Sequence, residues 1–192
     1  MIGKSGLVMG AALMLSAPAV VALCLLFVRL RRGPTVVDYL GLSWPGTGSI
    51  VGWIVGLLAL VGASDLLTVA WGRPVVPEVM VELYRNAGFK PLLWAGMILA
   101  APVAEELFFR GFLFRGWKES RLGDVGTIVI TSTLWAVIHV QYDLFGIAMI
   151  FCFGLLLGTV RCKTGSVPLC MVLHAIMNLV ATIEVEMFLL ES

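Results

Sequence analysis

Charge is scarce in this chain of 192 residues: Asp, Glu, Lys and Arg make up 13% of it, against 60% hydrophobic residues. The mean hydropathy is +1.01. A water-soluble domain carries about 25% charged residues, so this composition excludes the soluble and disordered classes and points to lipid as the solvent. A basic excess is missing too: Lys plus Arg is 13, Asp plus Glu is 12 and the net charge is +1. Nothing is available to neutralise a phosphate backbone, which excludes nucleic acid as a partner. Cysteine is limited to Cys24, Cys152, Cys162 and Cys170, with no C-x-x-C pair, and all but Cys162 lie in apolar runs. A disulfide scaffold is excluded, and these residues read as small hydrophobes. Long internal repeats, low-complexity tracts and soluble domains are also lacking, so activity must reside in the apolar runs or their short loops.

What is present is a series of apolar runs. A spanning helix must satisfy its own backbone across about 30 Å and needs about 20 apolar residues. Six candidates emerge: Leu7 to Val28, Ile50 to Trp71, Pro91 to Phe114, Val125 to Val140, Leu144 to Val160 and Val167 to Leu190. The fourth and fifth are short, which predicts a different tilt or a thinned bilayer. The expected fold is all-α, a polytopic transmembrane helix bundle of about six spans, with residues 1–192 as one membrane domain. The first run ends against Arg29, Arg31 and Arg32 instead of following a basic stretch, so it reads as a retained anchor and not a signal peptide, despite Ala17-Pro18-Ala19. Gly52 and Gly56 in the second run, and Gly154 and Gly158 in the fifth, would let other helices approach closely. The basic clusters Arg29/Arg31/Arg32, Arg115/Lys118/Arg121 and Arg161/Lys163 fall on one side, whereas Lys4, Arg73, Arg85 and Lys90 are spread among acids on the other. Both termini are therefore expected outside the cytoplasm. Between them, residues 72–90 carry Val79, Leu83 and Tyr84 against Glu78, Glu82 and Arg85 at helical spacing, the pattern of an amphipathic helix on the outer face.

Ionisable side chains in such runs cost several kcal/mol unless paired or facing a wet cavity. Those singled out are Asp65, Glu105, Glu106, Arg110, His139 and His174, and the two histidines are the only ones in the chain. Counted from the basic ends at about 1.5 Å per residue, Glu105, His139 and His174 lie about 15 to 21 Å deep, in one layer. Asp65 sits near the outer end of its run and can reach water by snorkelling. Neighbouring residues on a helix point about 100° apart, so Glu105 and Glu106 take different parts. Glu106 and Arg110, four apart with the acid first, fit a same-face ion pair, which either supports a site or merely fixes helix register. Glu105 is then the unpaired carboxylate, whose desolvation should raise its pKa toward that of a general base. Pro102 and Gly111 predict a kink or close packing nearby. His174 and Asn178, also four apart, can aim two donors at one developing oxyanion. Trp135 lies one turn before His139, as a wall.

Glu105-Glu106-Leu107-Phe108-Phe109-Arg110 matches an E-E-x-x-x-R motif and His174-Ala175-Ile176-Met177-Asn178 an H-x-x-x-N motif. Between them Trp135-Ala136-Val137-Ile138-His139 stands where F-x-x-x-H is usual, keeping an aromatic residue but not the Phe. In this order, over residues 91–180, the chain resembles the CPBP family of intramembrane proteases, which is related to the type II CAAX prenyl endopeptidase. The first 90 residues carry none of the likeness. The resemblance implies a catalytic core over 91–180 that hydrolyses a peptide bond inside the membrane. Glu105 with His139 would activate water, His174 and Asn178 would stabilise the oxyanion, and Glu106 and Arg110 would support the site. The family is also labelled metalloprotease, and Glu105, His139 and His174 would be the zinc ligands. Without H-E-x-x-H spacing the metal-free version is favoured, with no cofactor.

The substrate implied is a membrane protein or a lipidated or peptide tail in the bilayer. A compact chain of this kind looks bacterial, which places it in the plasma (inner) membrane, and the myxosortase-like members suggest C-terminal sorting tails of surface proteins. Two other classes compete: a small transporter or proton relay, which would show internal repeats, and a non-catalytic scaffold, which would tolerate loss of one of the four residues.

Overall fold

The computed structural model describes residues 5–31 and 33–191; Lys4 and Arg32 lie outside the described residues. The chain is all-α, with α1 (Gly6–Leu30), α2 (Val36–Leu40), α3 (Thr47–Ala70), α4 (Glu78–Arg85), α5 (Lys90–Lys118), α6 (Gly123–Val137), α7 (Leu144–Thr164) and α8 (Val167–Glu191). Five of these, α1, α3, α5, α7 and α8, are long and apolar enough to cross a membrane, which makes this an integral membrane protein. The expectation of six spans is met by these five and the shorter α6. Its 15 residues rise only about 22 Å, less than a hydrocarbon core. The expected end at Val140 is corrected to Val137, so His139 lies in the turn beyond.

The fifth run is longer than its apolar stretch: α7 continues through Arg161 to Thr164 and spans 21 residues. Its end carries Gly165 at φ +70, the left-handed conformation that closes a helix with least cost for glycine. Helix α2, unforeseen in the sequence, is a single turn stopped by Gly41 at φ +68 and capped by Thr35, whose Oγ1 accepts from Asp38 N at 3.1 Å.

Packing follows the small residues in part. A Cβ on Gly154 would stand 2.9 Å from Ser132 Cβ, and one on Gly158 3.0 Å from Ile128 Cγ2, so α6 and α7 lie backbone to backbone as expected. Thr131 and Ser132 on that face bond back to the carbonyls of Thr127 and Ile128 at 2.8 and 2.7 Å, which lets hydroxyls sit in an apolar contact. Gly52 and Gly56 do otherwise: a Cβ there meets nothing within 4 Å, and the approach expected at α3 is absent among the described residues. On α1, Gly6, Gly10 and Ala17 face inward, and a Cβ on Gly10 would sit 2.9 Å from the Leu92 carbonyl oxygen.

The predicted amphipathic helix forms as α4, with its apolar side turned onto the protein. Met80, Leu83 and Tyr84 are buried with Leu93 and Val185, and Tyr84 Oη and Thr182 Oγ1 hydrogen-bond at 2.8 Å. A second core of Leu57, Phe109, Trp135, Leu157, Leu169 and Leu173 joins α3, α5, α6, α7 and α8 beneath the polar residues.

These contacts predict opposite responses to one change. Gly154→Val should lower unfolding stability in detergent by about 1–3 kcal/mol through overpacking against Ser132. Gly52→Val should change it by less than about 0.5 kcal/mol. Denaturant titration followed by helicity checks both.

Candidate active site

Helix α5 is not a uniform α-helix. Residues Ala95–Ala100 and Leu107–Leu113 are π-helical, one segment before Pro102 and one after Glu106. The disturbance expected from Pro102 and Gly111 thus takes the form of two widened turns. In the first, Ala101 N–H reaches back five residues to Gly96. The next amide in the series belongs to Pro102, which has no N–H to offer Met97. Asn178 Nδ2 on α8 donates to the Met97 carbonyl instead, at 2.7 Å. A buried carbonyl that the helix cannot serve is satisfied by a side chain from another helix.

Glu106 and Arg110 form the predicted pair, with Arg110 Nη1 donating to Glu106 Oε1 at 3.0 Å and both side chains 0% exposed. His174 Nδ1 lies 2.9 Å from the same Oε1. An ionised carboxylate only accepts, so the proton of this bond belongs to His174 Nδ1 and its Nε2 is left free. Arg110 Nη2 donates to Gly154 O at 3.3 Å, and its guanidinium lies 4.7 Å from the centre of the Trp135 ring. The π-face is a favourable neighbour for a desolvated cation.

Trp135, 1% exposed, is more than a wall. Its Nε1 donates to Glu105 Oε2 at 2.6 Å, which corrects the expectation of an unpaired Glu105. Its ring meets both imidazoles edge to face, His139 at 5.4 Å and His174 at 5.2 Å between centroids. Its carbonyl lies 2.8 Å from His139 Nδ1, and because a carbonyl only accepts, His139 also carries its proton on Nδ1 and leaves Nε2 free. Only Trp among aromatic residues combines a donor with so large a face.

The residues named from the sequence come together. Glu105, Trp135, His139, His174 and Asn178 line one cavity of about 940 Å³ that opens at the end of the bundle formed by residues 73–79 and 141–143. Asp65 lines it too, instead of merely reaching outward to water, and so does Glu184, close enough for the two charges to repel. Glu184 escapes the sequence reasoning, although the rule that flags Glu105 applies equally to a carboxylate in the last span. Tyr142, in the loop at the mouth, escapes it as well. Burial first, and the neighbouring Tyr84 second, push its phenol up to about 12, so it remains a neutral O–H. Arg161, counted among the loop cations, is 8% exposed inside α7, a burial that the sequence does not signal. A second, apolar cleft of about 410 Å³ lies between α1 and α5, lined by Leu23, Phe27, Phe108 and Phe112 and again by Glu105. Leu23 and Phe27 are exposed on the bundle's outer surface.

Among the described residues no three His, Cys, Asp or Glu side chains are grouped so as to hold a metal ion. Glu105, His139 and His174 share the cavity without forming such a group.

The fold and this cluster define a polytopic α-helical membrane protein with a buried carboxylate–histidine centre reached from a polar cavity and from an apolar cleft. Residues 87–180 match the family model described as type II CAAX prenyl endopeptidase Rce1-like, and in this part the chain is similar to that family of intramembrane proteases. The chain is also 29% identical over 129 residues to an uncharacterized 24.3 kDa protein of Escherichia coli, over 65% of this chain and 59% of the relative. It thus spans less than two thirds of that curated relative's length. No solved structure matches.

The two acids should differ sharply in their structural weight. Removing Arg110 as Arg110→Met leaves the fully buried Glu106 carboxylate with the His174 imidazole alone, an expected loss of about 3–5 kcal/mol. Glu105→Gln, at a half-buried position with one hydrogen bond, should cost no more than about 1.5 kcal/mol. Unfolding of the purified variants in detergent measures the difference.

Proposed function

We propose that this chain is an intramembrane endopeptidase that cleaves a peptide bond in a bilayer-anchored segment. The observation that carries the reading is the position of Glu105 in the wall of both spaces, the polar cavity and the apolar cleft. Water can reach the carboxylate from one side and an apolar chain from the other, the two reactants such a hydrolysis needs.

In the proposed reaction Glu105 takes a proton from water, with His139 Nε2 accepting a hydrogen bond from the water's other O–H, and the hydroxide adds to the carbonyl carbon. The charge that develops on the carbonyl oxygen is met by Asn178, which has a second N–H beyond the one given to Met97, and by His174. With Nδ1–H given to Glu106, His174 meets the oxyanion through Nε2, which donates when the ring carries both protons. The proton on Glu105 then passes to the departing nitrogen, the C–N bond breaks, and a carboxylic acid and an amine leave. Trp135 holds Glu105 in place through the indole N–H. No step uses a metal.

The substrate we propose is the C-terminal membrane tail of a surface protein, entering between α1 and α5 and cut toward the end of the bundle at which the polar cavity opens. The charge distribution of the loops supports assigning that end to the outside of a bacterial plasma membrane.

Mass spectrometry of membrane proteins from cells carrying the wild type, Glu105→Gln or Glu105→Ala tests this. Juxtamembrane fragments should fall about 10²–10⁴-fold in both variants. Glu106→Gln should lose activity together with folded protein. An unchanged fragment set at normal expression would favour a transporter or a scaffold. Chelator-treated protein should keep its full fragment yield and carry no stoichiometric zinc; activity lost to chelation and restored by zinc would overturn the metal-free route.

A further inference from the structure

Arg161 is a buried cation that the reaction above does not use. In the second π-helical segment of α5, Phe114 N–H bonds to the carbonyls of Gly111 and Phe109, on either side of Arg110. Arg161 Nε on α7 donates to the bypassed Arg110 carbonyl at 2.8 Å. Its Nη1 donates to the carbonyl of Gly165, the residue that ends α7. Two residues on, Val167 N, the first residue of α8, donates to the Gly41 carbonyl at 2.9 Å. A Cβ on Gly41 would collide with this guanidinium, so the glycine is required by the close approach as well as by its φ of +68. One planar fork therefore ties the turn of α5 that bears Arg110 to the start of the helix that bears His174. No flexible ammonium spans two such carbonyls in fixed geometry.

Those are the two ends of the Glu106–His174 bond. Glu106 is held by Arg110, one turn away on α5, and His174 lies two turns into α8. We infer that Arg161 is a positioning residue: by bridging the Arg110 and Gly165 carbonyls it fixes the separation of Glu106 from His174 and so the direction of His174 Nε2. This rests on the proteolytic reading only for its effect on rate; the geometric claim stands apart from it.

The chain has two histidines, which makes the test direct. With histidine labelled at the ring nitrogens, the full chain in detergent micelles should show a strongly downfield Nδ1–H signal for His174 bonded to carboxylate, assigned by its persistence in His139→Gln. A weaker one should arise from His139 bonded to the Trp135 carbonyl. In Arg161→Met the His174 signal should disappear or move upfield while the His139 signal stays, at unchanged helicity. Arg161→Lys, which keeps a charge and one contact, should lie between. Should Arg161→Met fail to fold, Arg161→Lys decides alone. A His174 signal identical to wild type in a folded variant overturns the inference. Fragment yield should fall about 100-fold in Arg161→Met, as expected of a reacting group displaced by about 1 Å. If the wild type yields no fragments, the protease reading fails while the resonance result still judges Arg161. If fragments persist at wild-type yield with the His174 signal lost, the positioning role is overturned and the protease reading survives.

Discussion

The structure is organised around one desolvated charge. The Glu106 carboxylate is shut away from solvent, and a single oxygen receives both the Arg110 guanidinium and the His174 imidazole. A lone carboxylate in this environment is prohibitively costly, and a paired one is tolerated only if the partners are themselves satisfied. Arg110 is therefore braced by the Gly154 carbonyl and by the face of Trp135. The close approach of α6 and α7 at Gly154 serves this requirement as much as packing does. Removing any of these supports leaves charge in an apolar interior, which is why neutral substitutions there act through stability before chemistry.

A second constraint is the irregular backbone of α5. Widened turns and Pro102 disturb the ladder of helix donors, and in a membrane no water replaces a missing one. Asn178 serves Met97, and Arg161 serves Arg110. Both links run to the helices that build the site, so the same irregularity that endangers α5 ties it to α7 and α8. Pi-helical turns of this kind recur at functional sites because they re-aim side chains without ending the helix. Here the turns flank the α-helical segment with Glu105 and Glu106, whose adjacent positions, about 100° apart, send one carboxylate to the cavity and the other to the core.

The two spaces that meet at Glu105 give the arrangement its proposed use. Water and hydrocarbon exclude each other, and a site that must bring both to one atom needs a boundary there. The polar cavity and the apolar cleft share Leu13, Ala101 and Glu105 and little else. The match to the Rce1-like family model over residues 87–180 covers the stretch that holds the carboxylate and histidine set. The cleft wall contributed by α1 lies outside that match, in the part of the chain where the sequence carries no motif.

Much of this protein is legible in its sequence. Apolar runs of about 20 residues without alternation require helices, because such a segment satisfies its backbone in lipid by bonds within itself, and the four-residue spacing of Glu106 and Arg110 requires a shared face. Three motifs in order are enough for the family resemblance. Tertiary structure decides what spacing cannot encode. That Trp135 donates to Glu105, that His174 turns its Nδ1 to Glu106, and that Asn178 is partly spent on Met97 all depend on contacts between residues 30 to 81 positions apart. Arg161 reads as a loop cation in sequence because composition marks where an apolar run ends. It is buried because two carbonyls from distant segments converge on it and supply what solvent would have given. Gly52 and Gly154 look alike in sequence, and only the neighbour each one meets separates a free surface from a packed one. Local pattern fixes which groups exist and which face they share, whereas pairing across helices fixes which proton points where.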